Sequence, residues 1–177
     1  MKTIYTCLLL LATNFILAQK DSIPKNSAGY FEYTDIVQVD SASSQSLYSK
    51  SKLWVVNSFV SGKDVTQLND DESKTVVVKG LMPVYIQSWV FKQKIYIKMK
   101  FSIFNKDNKY KYSLTDMSLM IPAQGTALRD AESPLEKFNN HMTTKKQYAD
   151  ILDQAHKQST ELIASLKRAM TSKDDSW

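Results

Sequence analysis

Ser49 and Lys52 stand in an S-x-x-K arrangement, the spacing at which a lysine can serve a serine nucleophile. The S-D-N and K-T-G elements of that chemistry are missing, and both residues fall on the polar side of an amphipathic segment, so chance accounts for the match. No G-x-S-x-G elbow, P-loop, H-E-x-x-H or calcium-loop spacing is present. His141 and His156 lie too far apart along a helical stretch to form a zinc pair, and no third ligand stands beside them. Asp70, Asp71 and Glu72 offer hard oxygen ligands but lack the glycine turn and regular spacing of a cation loop, and read as a solvated loop. No metal and no cofactor is expected.

The pattern that could bind something is an alternation. From Ile95 to Phe104, Ile95, Ile97, Met99, Phe101 and Ile103 alternate with Tyr96, Lys98, Lys100, Ser102 and Phe104, the period of a strand with one buried face. After a turn over Asn105–Asn108, Tyr110, Tyr112 and Leu114 alternate with Lys111, Ser113 and Thr115 up to Met117, which completes a hairpin. Its outer face then carries Tyr96, Lys98, Lys100, Phe104 and Lys111, the candidate ligand-binding residues, suited to an anionic chain or another protein. The plainer account of the same lysines is that they solubilise a sheet and its exposed strands.

Other elements must hold that hairpin. Phe31–Val39 is β-rich and reads as a first strand. Ser41, Ser43 and Ser44 offer N-caps for an amphipathic helix over Gln45–Val60, with Leu47, Ser51, Trp54, Val55 and Phe59 on its inner side and Gly62 as its C-cap. Lys63–Ser73 reads as a polar loop, and Thr75–Lys79 and Val84–Phe91 as two further β runs. In the tail, Ser133, Pro134 and Glu136 resemble a capping box, and Thr144 with Gln147 repeats it. Either one kinked helix or two would satisfy these signals over 134–170. Leu152, Ala155, Ser159, Leu162, Leu166 and Ala169 form its apolar stripe, widened by Ile151, Ile163 and Met170. Packing against the domain's own sheet is the first use of that stripe, and self-association through an overhanging C-terminal helix is the other.

At the start, Lys2 precedes apolar runs at Cys7–Leu11 and Phe15–Ala18, a signal-peptide pattern too short and interrupted for a spanning helix. Cleavage after Ala18 makes Gln19 the first mature residue and removes Cys7, the single cysteine, leaving a chain that can form no internal disulfide and carries no transmembrane anchor. The remaining 159 of 177 residues suit one domain. Net charge is +5, or +4 without Lys2, a mild excess that points to no particular partner. The expected organisation is a signal peptide over 1–18, a flexible leader over 19–30, an α+β sheet domain over 31–120, a linker over 121–133, a C-terminal helical segment over 134–170 and a polar tail over 171–177.

Leu47 and Tyr48 followed by Trp54 and Phe59, Gly80 after a β run, and Lys109, Tyr110, Lys111 and Tyr112 leading to Leu114, Thr115 and Asp116 carry a likeness. Over residues 31–118 the chain resembles a family of secreted bacterial domains of unknown function with a TATA-binding-protein-like fold. The resemblance implies an antiparallel sheet with helices on one face, and carries over no catalytic or ligand residues. The fold class expected is therefore α+β, an antiparallel sheet of four to five strands with helices on one face and a long C-terminal helix. The function expected is that of an exported, secreted or periplasmic, non-enzymatic binding or structural module of the bacterial envelope, whose partner is an envelope protein or an anionic polymer. An exported hydrolase-like enzyme without a recognisable motif is one alternative. A nucleic-acid binder, suggested only by fold analogy and opposed by export, is the other.

Overall fold

Ile95, Ile97, Phe101 and Ile103 are almost wholly buried, and the sheet is organised around the strand that carries them. In a computed structural model, which describes residues 22–59, 66–87, 92–122, 131–137 and 143–172, the elements run β1 (Tyr33–Gln38), α1 (Ser44–Ser58), β2 (Thr66–Asp70), β3 (Thr75–Gln87), β4 (Lys92–Lys106), β5 (Lys109–Ile121), β6 (Ala131–Pro134) and α2 (Lys145–Thr171). The six strands form one antiparallel sheet in the order β1-β5-β4-β3-β2, with β6 also paired to β5. The sheet is one strand larger than expected, because β2 and β6 lie where the sequence reads as loop and linker. Neither has an apolar alternation of its own, and each is made a strand by pairing with a long neighbour. The signal peptide and the cleavage position after Ala18 lie outside the described residues, as do Gly62 and His141.

Alternation builds each long strand. In β4 the inward set ends at Asn105, and in β5 Tyr110, Tyr112 and Leu114 are inward. Lys106 pairs with Lys109 across a two-residue turn in which Asn108 takes a positive φ of 64°, a conformation that asparagine tolerates. Farther along, the register shifts between Lys98 and Lys100, and Asp116 opposite has φ of 54°. This bulge inserts one residue into β5, so the inward set passes from Leu114 to Met117 and Leu119.

β3 runs without a break through Gly80 and Pro83, where the sequence suggests two separate runs, and its 84–87 segment pairs with 92–95 of β4. Pro83 is tolerated because β2 covers only Thr75–Lys79, so the missing N–H falls on an edge without a neighbouring strand. Gly80 is required by close approach: a Cβ there would lie 3.1 Å from the Phe59 ring.

Both helices cover one face. Ser43 caps α1 by accepting the Ser46 N–H at 3.1 Å, and the Ser44 N–H donates to the Asp107 carboxylate at 2.7 Å, tying the helix start to the β4–β5 turn. Leu47, Tyr48, Ser51, Trp54 and Val55 are buried, with Trp54 Nε1 donating to Ser165 of α2 at 2.9 Å. The Ser51 hydroxyl, in the core, reaches the Leu47 carbonyl at 2.9 Å and Asn105 Oδ1 at 3.1 Å. α2 begins at a capping box between Thr144 and Gln147. Its buried line is Ile151, Ala155, Ser159, Ile163, Leu166 and Met170, so the stripe is centred one residue from the expected one, with Leu152, Leu162 and Ala169 on its flank. No described helix is long and apolar enough to cross a membrane.

Two expectations are corrected. Ser133, Pro134 and Glu136 do not start a helix: Ser133 and Pro134 end β6, and the Glu136 carboxylate instead accepts the Phe31 N–H at 2.9 Å. The described part of the leader is packed, with Ile23 and Phe31 buried and Lys25 bridged to Phe31, because Asn26 folds the chain back by accepting the Ala28 and Tyr30 N–H groups.

Candidate functional site on the open face of the sheet

With α1 and α2 on one face, the outward residues of β1, β5, β4 and β3 form rows across the other. Register places Ile36 beside Lys111 and Lys111 beside Phe104, and the neighbouring row sets Lys109 against Lys106. Ile36 and Phe104 are large apolar side chains left 59% and 41% exposed. Together with Lys106, Lys109 and Lys111 they line a cleft of about 400 Å³ at the hairpin end.

The five candidate residues divide between two environments. Lys98 reaches Glu132 at 2.7 Å and Lys100 reaches Asp116 at 3.0 Å, so both carry a carboxylate partner. Glu132 also accepts from Ser118 at 2.7 Å, and the hydrogen bond from Lys98 holds its carboxyl below the usual glutamate range. These groups line a second cleft of about 370 Å³ with Leu81 and Lys79, so two of its three lysines carry a carboxylate partner. Tyr96 is half-buried between Met120 and Pro83, with the Lys94 ammonium 5.3 Å from its ring. Phe104 and Lys111, at the other end, sit beside lysines that make no ion pair among the described residues.

The structure therefore brings Phe104 and Lys111 together but separates them from Lys98 and Lys100 by the pairing of charges. It adds Ile36, Lys106 and Lys109, which sequence reasoning missed. The outward position of Ile36 was available from period two, since Tyr33 and Val37 share the opposite parity and face the helices.

Other chemical candidates resolve into structure. Ser49 is exposed, and the Lys52 ammonium lies 4.4 Å from the Tyr48 ring and 3.8 Å from Asp71. Asp70 accepts from the Glu72 and Ser73 N–H groups and from the Ser73 hydroxyl, bonds that shape the β2–β3 turn and lower its carboxyl pKa. The Tyr33 hydroxyl lies 2.8 Å from His156 Nδ1, and burial pushes the phenol up to about 12, so it stays neutral in this link between β1 and α2. Among the described residues no three His, Cys, Asp or Glu side chains gather as metal ligands. A cleft of about 750 Å³ lies between the leader and α2 and includes Ile23, Phe31, Tyr148 and Leu152, and the Glu136 carboxylate on its wall is committed to the Phe31 N–H.

Residues 33–119 match the model of a domain of unknown function, DUF4468, with a TBP-like fold. No curated protein matches the chain. Among solved structures, a TBP-like protein from Parabacteroides distasonis ATCC 8503 aligns with a TM-score of 0.68 at 14% identity, covering 86% of this chain and 99% of its own. A DUF4468 family protein from Bacteroides ovatus ATCC 8483 aligns with a TM-score of 0.66 at 12% identity, covering 88% of this chain and 94% of its own. At such identities these two structures speak for the fold alone, and the sequence match agrees with them in giving an antiparallel sheet with helices on one face. Residues 33–119, 87 of the 177, thus look like a DUF4468 domain of unknown function with a TBP-like fold.

Proposed function

We propose that this protein is an exported, non-enzymatic binding module of the bacterial envelope that holds an anionic component, a polymer or an acidic surface of an envelope protein, on the open face of its sheet. The observation that carries this reading is the hairpin-end cleft, where Lys106, Lys109 and Lys111 surround exposed Phe104 and Ile36. Lysine placed only to solubilise a sheet needs no large apolar neighbour, and directly opposed lysines such as Lys106 and Lys109 repel. An anion between them removes that repulsion. Export is supported by the Lys2 and apolar pattern of residues 1–18. Sequencing the N-terminus of protein recovered from its host should read from Gln19, and an intact Met1 in a membrane fraction would contradict export. Binding is tested by retention on immobilised polyglutamate at rising salt. Retention that weakens with salt is expected, because exposed charges are screened over about 10 Å at 0.1 M. Elution in the void volume at low salt would remove the reading.

A further inference from the structure

Resting on the anionic-partner reading above, we infer that the hairpin end of the open face is a docking surface for an anionic lipid bilayer, with Phe104 and Ile36 entering the interface and Lys106, Lys109 and Lys111 meeting the phosphates. The distribution of charge selects this end of the sheet. Lys98 and Lys100 are answered from within the fold by Glu132 and Asp116. Among the described residues the three lysines at the turn are not, and Asp107, the acid nearest in sequence, is turned toward the first turn of α1 by its bond to the Ser44 N–H. Cationic charge is thus concentrated where no carboxylate of the described residues neutralises it.

The apolar side chains select the kind of anion. Ile36, Lys111 and Phe104 are successive neighbours in one row across β1, β5 and β4, so the two exposed apolar groups flank a lysine about 5 Å from each. A polar glycan or a polyanion would answer the lysines and leave Ile36 and Phe104 in water. A bilayer interface answers both, since apolar side chains sink beneath the level at which basic residues meet anionic headgroups. The geometry also suits a flat partner. The lysines and apolar groups project from one face of the sheet formed by β1 and the β4–β5 hairpin and not from opposite sides, so all five reach a plane together. An acidic protein with apolar anchors is the competing partner for the same cleft, and a test with pure lipid excludes it.

The test uses the full chain, wild type and variants, in co-sedimentation with vesicles of phosphatidylcholine containing 30% phosphatidylglycerol, with pure phosphatidylcholine vesicles and polyglutamate as comparisons. Any contribution of the apolar residues before Gln19 is common to all variants and registers on the neutral vesicles. Wild type should prefer anionic vesicles. Lys106→Gln, Lys109→Gln and Lys111→Gln together should reduce that preference by about fivefold per lysine and should also reduce polyglutamate retention. Ile36→Ser with Phe104→Ser should weaken vesicle binding by about tenfold or more while leaving polyglutamate retention unchanged, with circular dichroism confirming an unaltered fold. Polyglutamate retention without a preference for anionic vesicles, or vesicle binding indifferent to Ile36 and Phe104, overturns the lipid inference and leaves the anionic-polymer or protein reading standing. Binding to neither probe overturns both.

Discussion

The side-chain amide of Gln154 forms two hydrogen bonds with the backbone of Tyr85, accepting its N–H and donating to its C=O, each at 2.9 Å. The pair reproduces what one residue of a neighbouring strand would supply. One turn farther along α2, Gln158 donates to the Pro83 carbonyl at 2.8 Å. The helix thereby closes the stretch of β3 that β2 does not reach, the kind of bare edge through which sheets associate.

Gln154→Ala with Gln158→Ala should therefore do two things. Stability should fall by about 1–3 kcal/mol, the net value of a few partly exposed hydrogen bonds. The uncovered edge should also promote concentration-dependent self-association, read by sedimentation velocity. A variant that is destabilised yet strictly monomeric at high concentration would show that these glutamines do not protect the edge.

Gly80 faces the ring of Phe59, with hypothetical Cβ contacts of 3.1 and 3.2 Å. Gly80→Ala should cost about 1–3 kcal/mol through overpacking. The cost should shrink in a Phe59→Leu background, so a double-mutant cycle by urea denaturation should give a coupling of about 0.5–3 kcal/mol. Additive effects would place the strain elsewhere.

Three carboxyl groups sit below their ordinary values for local reasons: Asp70 through Ser73, Asp107 through the Ser44 N–H, and Glu132 through Lys98. A depressed native pKa contributes stability that is complete above the unfolded value and lost as pH falls through the native value. Stability should accordingly decline as pH drops below about 4, the ordinary carboxylate range. Asp107→Asn should lessen that decline, measured as the thermal midpoint against pH, and an unchanged slope would mean that its bond to α1 is not linked to folding.

The long elements were legible because each buries a periodic face. β4 and the first half of β5 alternate cleanly, α1 begins at a serine cap, and α2 begins at its capping box. The short strands were not legible, since β2 is polar and its one apolar residue, Leu68, points outward at 64% exposure. β6 carried a misleading helix-start signal that tertiary pairing overrode. In the candidate site, period two assigned Lys98, Lys100, Phe104 and Lys111 to one face, but no local rule could show that Asp116 and Glu132 neutralise the first two. Asp116 reaches Lys100 at a bulge, and Glu132 reaches Lys98 from a strand that exists only through its pairing with β5.

The open face divides into an end where Lys98 and Lys100 are ion-paired and an end where, among the described residues, Lys106, Lys109 and Lys111 are not, and charge reversal tests that division directly. Lys106→Glu, Lys109→Glu and Lys111→Glu in one variant are to be compared with Lys145→Glu, Lys146→Glu and Lys157→Glu on the exposed side of α2, which impose the same change in net charge. Salt-dependent retention on polyglutamate, measured beside circular dichroism, is the readout. The hairpin variant should keep its fold and lose retention, while the helix variant keeps most of it. Equal loss in the two folded variants would mean that net charge alone governs binding, and would contradict a site at the hairpin end.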